Sequence, residues 1–352
     1  MRLIENGLYK EDIEIVAGQT LPWEKLKDSS LLLSGATGFM GSFLVDVLMY
    51  LNNELDLNCK VYALGRNEEK AKQRFDYCYN RKLFEFIPYD INKPLVGDEI
   101  GEIGYVLHLA SNTHPLSYST DPIGTITTNI IGTQHMLEFA YKHHAKRCAF
   151  ASSNEIYGEN RGDVEVFEEG YCGYINCNTM RAGYPESKRC GEALCQAYIK
   201  QKGMDIVIPR FTRSYGPTLQ KEDSKAISQF FHKAINGEDI VLKSEGTQYY
   251  SYTYVADAIS GLLYVLLLGK LGEAYNIADK ASDIMLRDLA NAIAEAVGRE
   301  VVFEIPDTKE SAGYSKATKA RLDSSKLQQL GWNAKYNIKT GIDRTISILS
   351  EK

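Results

Sequence analysis

Short apolar runs alternate with longer stretches in which apolar residues recur three and four positions apart, and this rhythm holds through the first 210 residues of the chain. Leucines 31–33 predict a buried strand, and residues 43–51 a helix. Residues 60–64 form the second predicted strand, ending at Gly65-Arg66-Asn67, and the charged segment 68–80 a surface helix. The third strand is 84–89, closed by Asp90-Ile91; the fourth is 105–110 and the fifth 147–152, separated by a long helix at 129–143. A helix over 184–202 and a sixth strand at 205–210 complete the series. Uniformly apolar strands separated by helices imply an α/β fold with a mostly parallel, doubly wound sheet covered on both faces.

The remainder changes character. Residues 213–252 are rich in Lys, Gln, Tyr and Gly; Val255–Leu268 reads as an apolar helix, Ala274–Ile277 as a strand and 286–297 as another helix. No clean linker separates the two parts. We expect residues 29–212 to form the sheet domain, with 253–280 returning to it, and 213–252 plus 281–352 to form a smaller interwoven lobe. Residues 1–28 are polar and predict an N-terminal extension, one helix packed on the outside.

With 352 residues, 44% apolar and 24% charged, the chain has the composition of a globular protein with a large core. A net charge of −6 excludes an electrostatic footprint for nucleic acid or an anionic membrane, so any phosphate must be held by local donors. The longest apolar run, near 259–268, is too short to span a bilayer. The first residues are acidic where a secretory signal needs an apolar core. The seven cysteines form no paired framework and lack a histidine pattern, so we expect a reducing, cytoplasmic setting and no metal.

Between the first strand and helix lies Gly35-Ala36-Thr37-Gly38-Phe39-Met40-Gly41. Glycines three apart let the backbone approach a pyrophosphate and let the helix pack on the sheet, while the helix N-terminus attracts the phosphates. This is the signature of a dinucleotide site in a Rossmann-type fold. A second constellation, Tyr184-Pro185-Glu186-Ser187-Lys188, puts a phenol and an ammonium on one helix face. A phenol alone titrates near 10, and a neighbouring ammonium lowers that value, which makes Tyr184 an acid/base candidate with Lys188 as its partner. Ser153, at the end of the fifth strand, is placed to hold the same substrate oxygen.

Gly35-x-x-Gly38-x-x-Gly41, His108-Leu109-Ala110, Asn129-x-x-Gly132-Thr133, Ser152-Ser153-x-x-x-Tyr157-Gly158, Tyr184-x-x-x-Lys188, Tyr215-Gly216-Pro217, Tyr254-Val255-x-Asp257 and Leu330-Gly331-Trp332 occur in that order. In this set the chain resembles the extended short-chain dehydrogenase/reductase enzymes that act on nucleotide sugars, over roughly residues 29–350. The resemblance implies Tyr184 as acid/base, Lys188 as its electrostatic partner and ribose contact, and Ser153 as hydroxyl anchor. It implies a cofactor lined by Thr37, Phe39, Met40, Leu109, Ala110, Ser111, Asn129 and Ser152, with Asp90 and Ile91 flanking the adenine. It also implies a homodimer through the helices near 129–143 and 184–201. The run Arg181-x-x-Tyr184-x-Glu186-x-Lys188-Arg189 looks most like the UDP-glucuronate decarboxylase branch, with Arg181 on the substrate side.

Three departures refine these expectations. Gly65-Arg66 replaces the acid that bonds the ribose of NAD and offers a fork for a phosphate, which favours NADP(H) over NAD(H). Asn154 stands where dehydratases carry an aspartic acid; an amide cannot deliver a proton, so dehydration is disfavoured and Glu155 remains as a candidate base. Tyr250 replaces an arginine that relatives direct at the diphosphate, while Arg213 replaces an asparagine, so phosphate recognition moves to Arg213, with Arg210 beside it. The expected function is NADP(H)-dependent reduction of a keto-sugar linked to UDP or CDP. The alternatives are a redox-neutral epimerase or decarboxylase with bound NAD, and a cofactor-sensing protein without turnover.

Overall fold

The computed structural model describes residues 2–79, 81–95, 100–113, 115–304 and 318–351. The chain opens with α1 (Gly7–Ala17), β1 (Ser30–Ser34), α2 (Phe39–Glu54), β2 (Lys60–Gly65), α3 (Glu68–Arg74) and β3 (Phe84–Pro88). It continues through β4 (Tyr105–His108), α4 (Pro115–Thr120), α5 (Pro122–Lys142), β5 (Arg147–Phe150), β6 (Ser152–Ser153), α6 (Gly183–Lys202) and β7 (Ile206–Phe211). The later elements are β8 (Arg213–Tyr215), α7 (Ala226–Ile235), β9 (Ile240–Leu242), β10 (Tyr249–Tyr254), α8 (Val255–Leu268), β11 (Ala274–Ile277), β12 (Asp283–Met285), α9 (Leu286–Glu295), β13 (Val301–Phe303) and β14 (Lys319–Ala320), with a last helix at Ile338–Ser350.

The large sheet runs β11-β7-β5-β4-β1-β2-β3, all parallel, with β6 continuing β5 alongside β7. From β1 the strands proceed outward to β2 and β3 on one side, and β4, β5 and β7 lie on the other. The crevice beyond the carboxyl ends of β1 and β4 is therefore the switch point at which such sheets bind ligands. A smaller sheet holds β10 between antiparallel β12 and parallel β8 and β14. α8 is buried almost throughout and β11 joins the large sheet beside β7, so the chain recrosses between the sheets several times.

Some elements differ from the pattern-based expectation. α5 begins at Pro122, seven residues before the apolar periodicity announces it, because Asp121 caps it by accepting from the Gly124 amide (2.9 Å) ahead of a proline at the first helical position. The charged helix stops at Arg74, since Phe75 and Cys78 turn inward to the core; Asn80 lies outside the described residues. α1 is not an outer appendage. Tyr9, Asp12, Ile13 and Val16 are buried; the Tyr9 hydroxyl donates to Asp46 of α2 (2.5 Å), and Asp12 accepts from the Tyr254 hydroxyl (2.5 Å) and Arg344 (2.8 Å). One helix of the presumed extension thus ties α2, β10 and the last helix together. Among the described residues, no helix is long and apolar enough to cross a membrane, and no group of three His, Cys, Asp or Glu side chains is placed to hold a metal.

Candidate active site

β1 delivers the chain into Gly35 at φ +76°, where a Cβ would stand 2.8 Å from the Ala110 amide nitrogen after β4. A Cβ on Gly41 would overlap the Gly35 carbonyl oxygen, so α2 can start this close to the strand only with glycine there. Gly38 caps α2 with no side-chain hydrogen bond, leaving the first-turn amides, those of Phe39 and Met40 among them, uncapped beside the turn at Thr37. Opposite, Leu109, Ala110 and Ser111 leave β4; the Ala110 amide donates to Ser34 Oγ (3.2 Å), which is bonded to His108 Nδ1 (2.7 Å). Burial pulls His108 down to about 3, so the ring is neutral and completes its bonding with Thr133 Oγ1 (3.1 Å). At the outer end, Gly65 abuts the Phe86 ring, Arg66 is exposed, Asp90 accepts from the Asn92 amide (3.0 Å), and Ile91 fills the space over Gly132. A cradle that two Cβ atoms would obstruct, facing an uncapped helix N-terminus, fits a dinucleotide pyrophosphate.

Beyond β5 the chain runs through β6 in register with β7, Ser152 opposite Arg210 and Ser153 opposite Phe211. Ser153 and Ser111 stand beside the phenol of Tyr184, which lies in the first turn of α6, and both favour its ionised form. Burial nevertheless pushes the phenol up to about 12; the two serines and Arg181 oppose this, and Glu155 adds to it. Lys188 does not act as expected. Its ammonium donates to the Ala151 carbonyl (2.8 Å) over the Phe150 ring, and burial pulls it down to about 8. Desolvation is the largest influence on both side chains, and Lys188 is not among the groups that lower the phenol.

A stack flanks Tyr184: Tyr118 of α4 lies on it at 4.9 Å between centroids, and the Arg181 guanidinium covers Tyr118 at 4.8 Å. Arg181 Nη2 donates to both Glu155 oxygens (2.7 and 2.6 Å), so the candidate base is ion-paired. Asn154 is buried in the turn after Ser153, whose hydroxyl accepts from the Glu155 amide (3.2 Å). Asn129 connects the two halves of the site, accepting from Ser111 Oγ (2.6 Å) and donating to Ser187 Oγ (2.9 Å), which donates to the Tyr184 carbonyl (2.8 Å).

The arginines divide. Arg210 is locked between Glu192 (2.6 and 2.9 Å), the Tyr157 hydroxyl and the Glu169 carbonyl, so its fork is satisfied within the fold and the phosphate role expected of it is withdrawn. Ser152, expected on the cofactor, donates to the same Glu192 (2.5 Å). Arg213 instead stands over Tyr250, its guanidinium carbon 3.5 Å from the ring centroid, with Nη1 buried and unpartnered. Arg321, which no sequence pattern singled out, covers Tyr249 at 4.7 Å with its Nε unpartnered. Tyr118 was missed because α4 has no apolar periodicity. Glu192 was readable as the acid four residues past Lys188 on one helix face.

A sequence model described as the NAD dependent epimerase/dehydratase family matches residues 31–278. UDP-glucuronic acid decarboxylase 1 of Xenopus tropicalis is 31% identical over 316 residues, covering 90% of this chain and 71% of that protein. UDP-glucuronic acid decarboxylase 3 of Arabidopsis thaliana is 31% identical over 312 residues, covering 89% and 86%. Among solved structures, the dTDP-glucose 4,6-dehydratase DesIV of Streptomyces venezuelae, with NAD and TYD bound, superposes with a TM-score of 0.78 at 23% identity, covering 92% of this chain and 97% of that one. UDP-glucuronic acid 4-epimerase of Bacillus cereus, in complex with UDP-glucuronic acid and NAD, gives 0.78 at 22% identity, covering 92% and 99%. At these identities the structural likeness is one of fold.

Proposed function

The chain belongs to the NAD dependent epimerase/dehydratase family, and on that premise we propose that it is an NAD(H)-dependent enzyme that oxidises and re-reduces a UDP-linked sugar without net redox change, decarboxylating a UDP-hexuronic acid. The observation that carries the proposal is the convergence of Ser153, Ser111 and Tyr184 at the crevice end of the dinucleotide cradle. The 31% identity to decarboxylases over nearly the whole chain supports the redox-neutral reading above net reduction.

Gly35, Gly38, Gly41 and the α2 amides would hold the pyrophosphate, and Lys188 and Asn129 would line the ribose side. When bound, the dinucleotide takes up and returns hydride. Ser153 and Tyr184 would orient the reacting sugar hydroxyl, and Tyr184 would hold its proton while that carbon is a ketone. A ketone β to the uronate carboxylate draws the electrons of the departing CO2 into its oxygen. Once it carries that proton, Tyr184 would hydrogen-bond the oxygen as CO2 departs; a proton from water then enters the ring carbon that lost CO2, and Tyr184 returns its own proton to the oxygen as hydride comes back. Arg181, which acts downward on the phenol, is placed to assist the oxidation half.

The test is to incubate NAD-supplied protein with UDP-glucuronic acid and follow products by mass spectrometry. A UDP-sugar lighter by one CO2, with no net NADH, is expected; intact substrate would refute the proposal. The exposed Arg66 past Gly65 favours a second reading, NADP(H) with net reduction of a keto-sugar, and stoichiometric loss of NADPH would select it. Exposed Ile123, Ile126, Ile131 and Tyr141 along α5 support a homodimer through α5 and α6, which light scattering would test.

A further inference from the structure

α4 is six residues long, too short to stand on its own backbone hydrogen bonds. It is held from outside: the Leu116 amide donates to Ser224 Oγ (3.3 Å), and Lys225 Nζ donates to Thr113 Oγ1 just ahead of the helix (3.1 Å). Leu116 is exposed, and Tyr118 is the one buried residue of the helix. Among the described residues that side chain joins neither hydrophobic core. Its ring lies instead on the Tyr184 ring, 4.9 Å between centroids with the planes 28° apart. A strap whose single inward side chain rests on the candidate acid/base group is doing more than closing the core.

Two further groups brace the stack. The Arg181 guanidinium, three residues ahead of Tyr184, stands 4.8 Å from the Tyr118 centroid, and its Nη2 donates to both Glu155 oxygens. Glu155 belongs to the turn that Ser153 caps, so the Tyr118 ring is tied to the backbone that also carries the serine beside the phenol. A tyrosine turns about two side-chain bonds, with its hydroxyl at the far end of that lever. Partners at the hydroxyl alone leave the ring free to swing, whereas an aromatic laid on its face fixes the plane. Proton transfer needs the hydroxyl within hydrogen-bond reach of the sugar oxygen, and a misplacement of about 1 Å costs about a hundredfold in rate.

We propose that Tyr118 is a positioning residue for the reaction: its ring, held in place by α4, sets the plane of Tyr184 and so the position of the transferable proton. The inference rests on the reading of Tyr184 as the acid/base group and names what orients it. NAD-supplied wild-type protein, Tyr118→Phe and Tyr118→Leu are compared in two measurements. In turnover of UDP-glucuronic acid, the Leu variant should lose kcat on the order of tenfold to a hundredfold with KM little changed, and the Phe variant, which keeps the ring, should retain most of it. Crystal structures of the NAD-bound proteins should show the Tyr184 ring in one plane in the wild type and the Phe variant, and displaced or spread over several in the Leu variant. A wild-type kcat in the Leu variant, or a Tyr184 ring still in its wild-type plane there, would overturn the inference while leaving the proposed function standing. Equal losses in the Phe and Leu variants would also overturn it, because they would assign the effect to the Tyr118 hydroxyl; so would a loss carried by KM, which would make Tyr118 a substrate contact. Wild-type protein that leaves UDP-glucuronic acid intact would sink the proposed function, and the Tyr184 plane in the Leu variant would then decide the inference by itself. Urea unfolding checks the fold of each variant, and Tyr118→Met takes the place of the Leu variant in both measurements if that one is unstable.

Discussion

Replacing Lys188 by methionine should stabilise the folded protein at neutral pH while removing the cofactor-side ammonium. Burial holds the lysine at about 8 against an ordinary 10.5, and at about 1.36 kcal/mol per pH unit its charge costs the fold about 3 kcal/mol at pH 7. Methionine has a similar length and no charge, but it leaves the Ala151 carbonyl without its donor, a loss of about 1–3 kcal/mol. The net gain at pH 7 is therefore about 1 kcal/mol. The pH dependence is the sharper readout. A lysine depressed in the fold destabilises fully below its folded value, and the penalty fades as pH rises toward the unfolded value, because there the unfolded chain binds more protons. About 2 kcal/mol of the wild-type penalty is gone by pH 9.5, so the advantage of the methionine variant should vanish or reverse there. Urea unfolding of both proteins at pH 7 and 9.5 measures this. A Met variant that is less stable by the same amount at both pH values would show that Lys188 is not held as a desolvated cation, and the account of the Tyr184–Lys188 pair would fail with it.

Tyr184→Phe should lower turnover by about 10²–10⁴-fold with NAD affinity retained, as measured by product formation and cofactor titration; retained turnover would remove Tyr184 from the chemistry. Gly41→Ala sets a methyl group against the Gly35 carbonyl and should cost about 3 kcal/mol or more and most NAD affinity, seen in the unfolding midpoint and by titration. Asp12→Ala leaves Arg344 and the Tyr254 hydroxyl without their shared acceptor and should cost about 3 kcal/mol; adding Arg344→Met should recover part of that loss in a double-mutant cycle. His108, held at about 3, contributes stability that is complete above pH 6.5 and lost as pH falls toward 3, since the unfolded chain then binds the extra proton. His108→Gln should flatten that limb of the stability–pH curve.

Strands 31–33, 60–64, 84–89 and 105–110, the glycine turn and the Tyr184–Lys188 spacing were readable in the sequence, because period, turn chemistry and helical spacing are local properties of neighbouring residues. Arg213 stood out only against the family resemblance, as a cation where relatives carry an asparagine. The sequence could not say that Arg210, three residues away, is spent on Glu192, since that partner arrives from α6 across the sheet. Nor could it show that Tyr118 stacks on Tyr184, or that α1 closes the core through Asp12 and Asp46, contacts between segments far apart in the chain. The direction of the Tyr184 and Lys188 shifts belongs to the same class. Spacing puts a phenol and an ammonium on one helix face, but their proton affinities depend on how much water the surrounding sheet and helices exclude, and that is fixed only once the whole chain has packed.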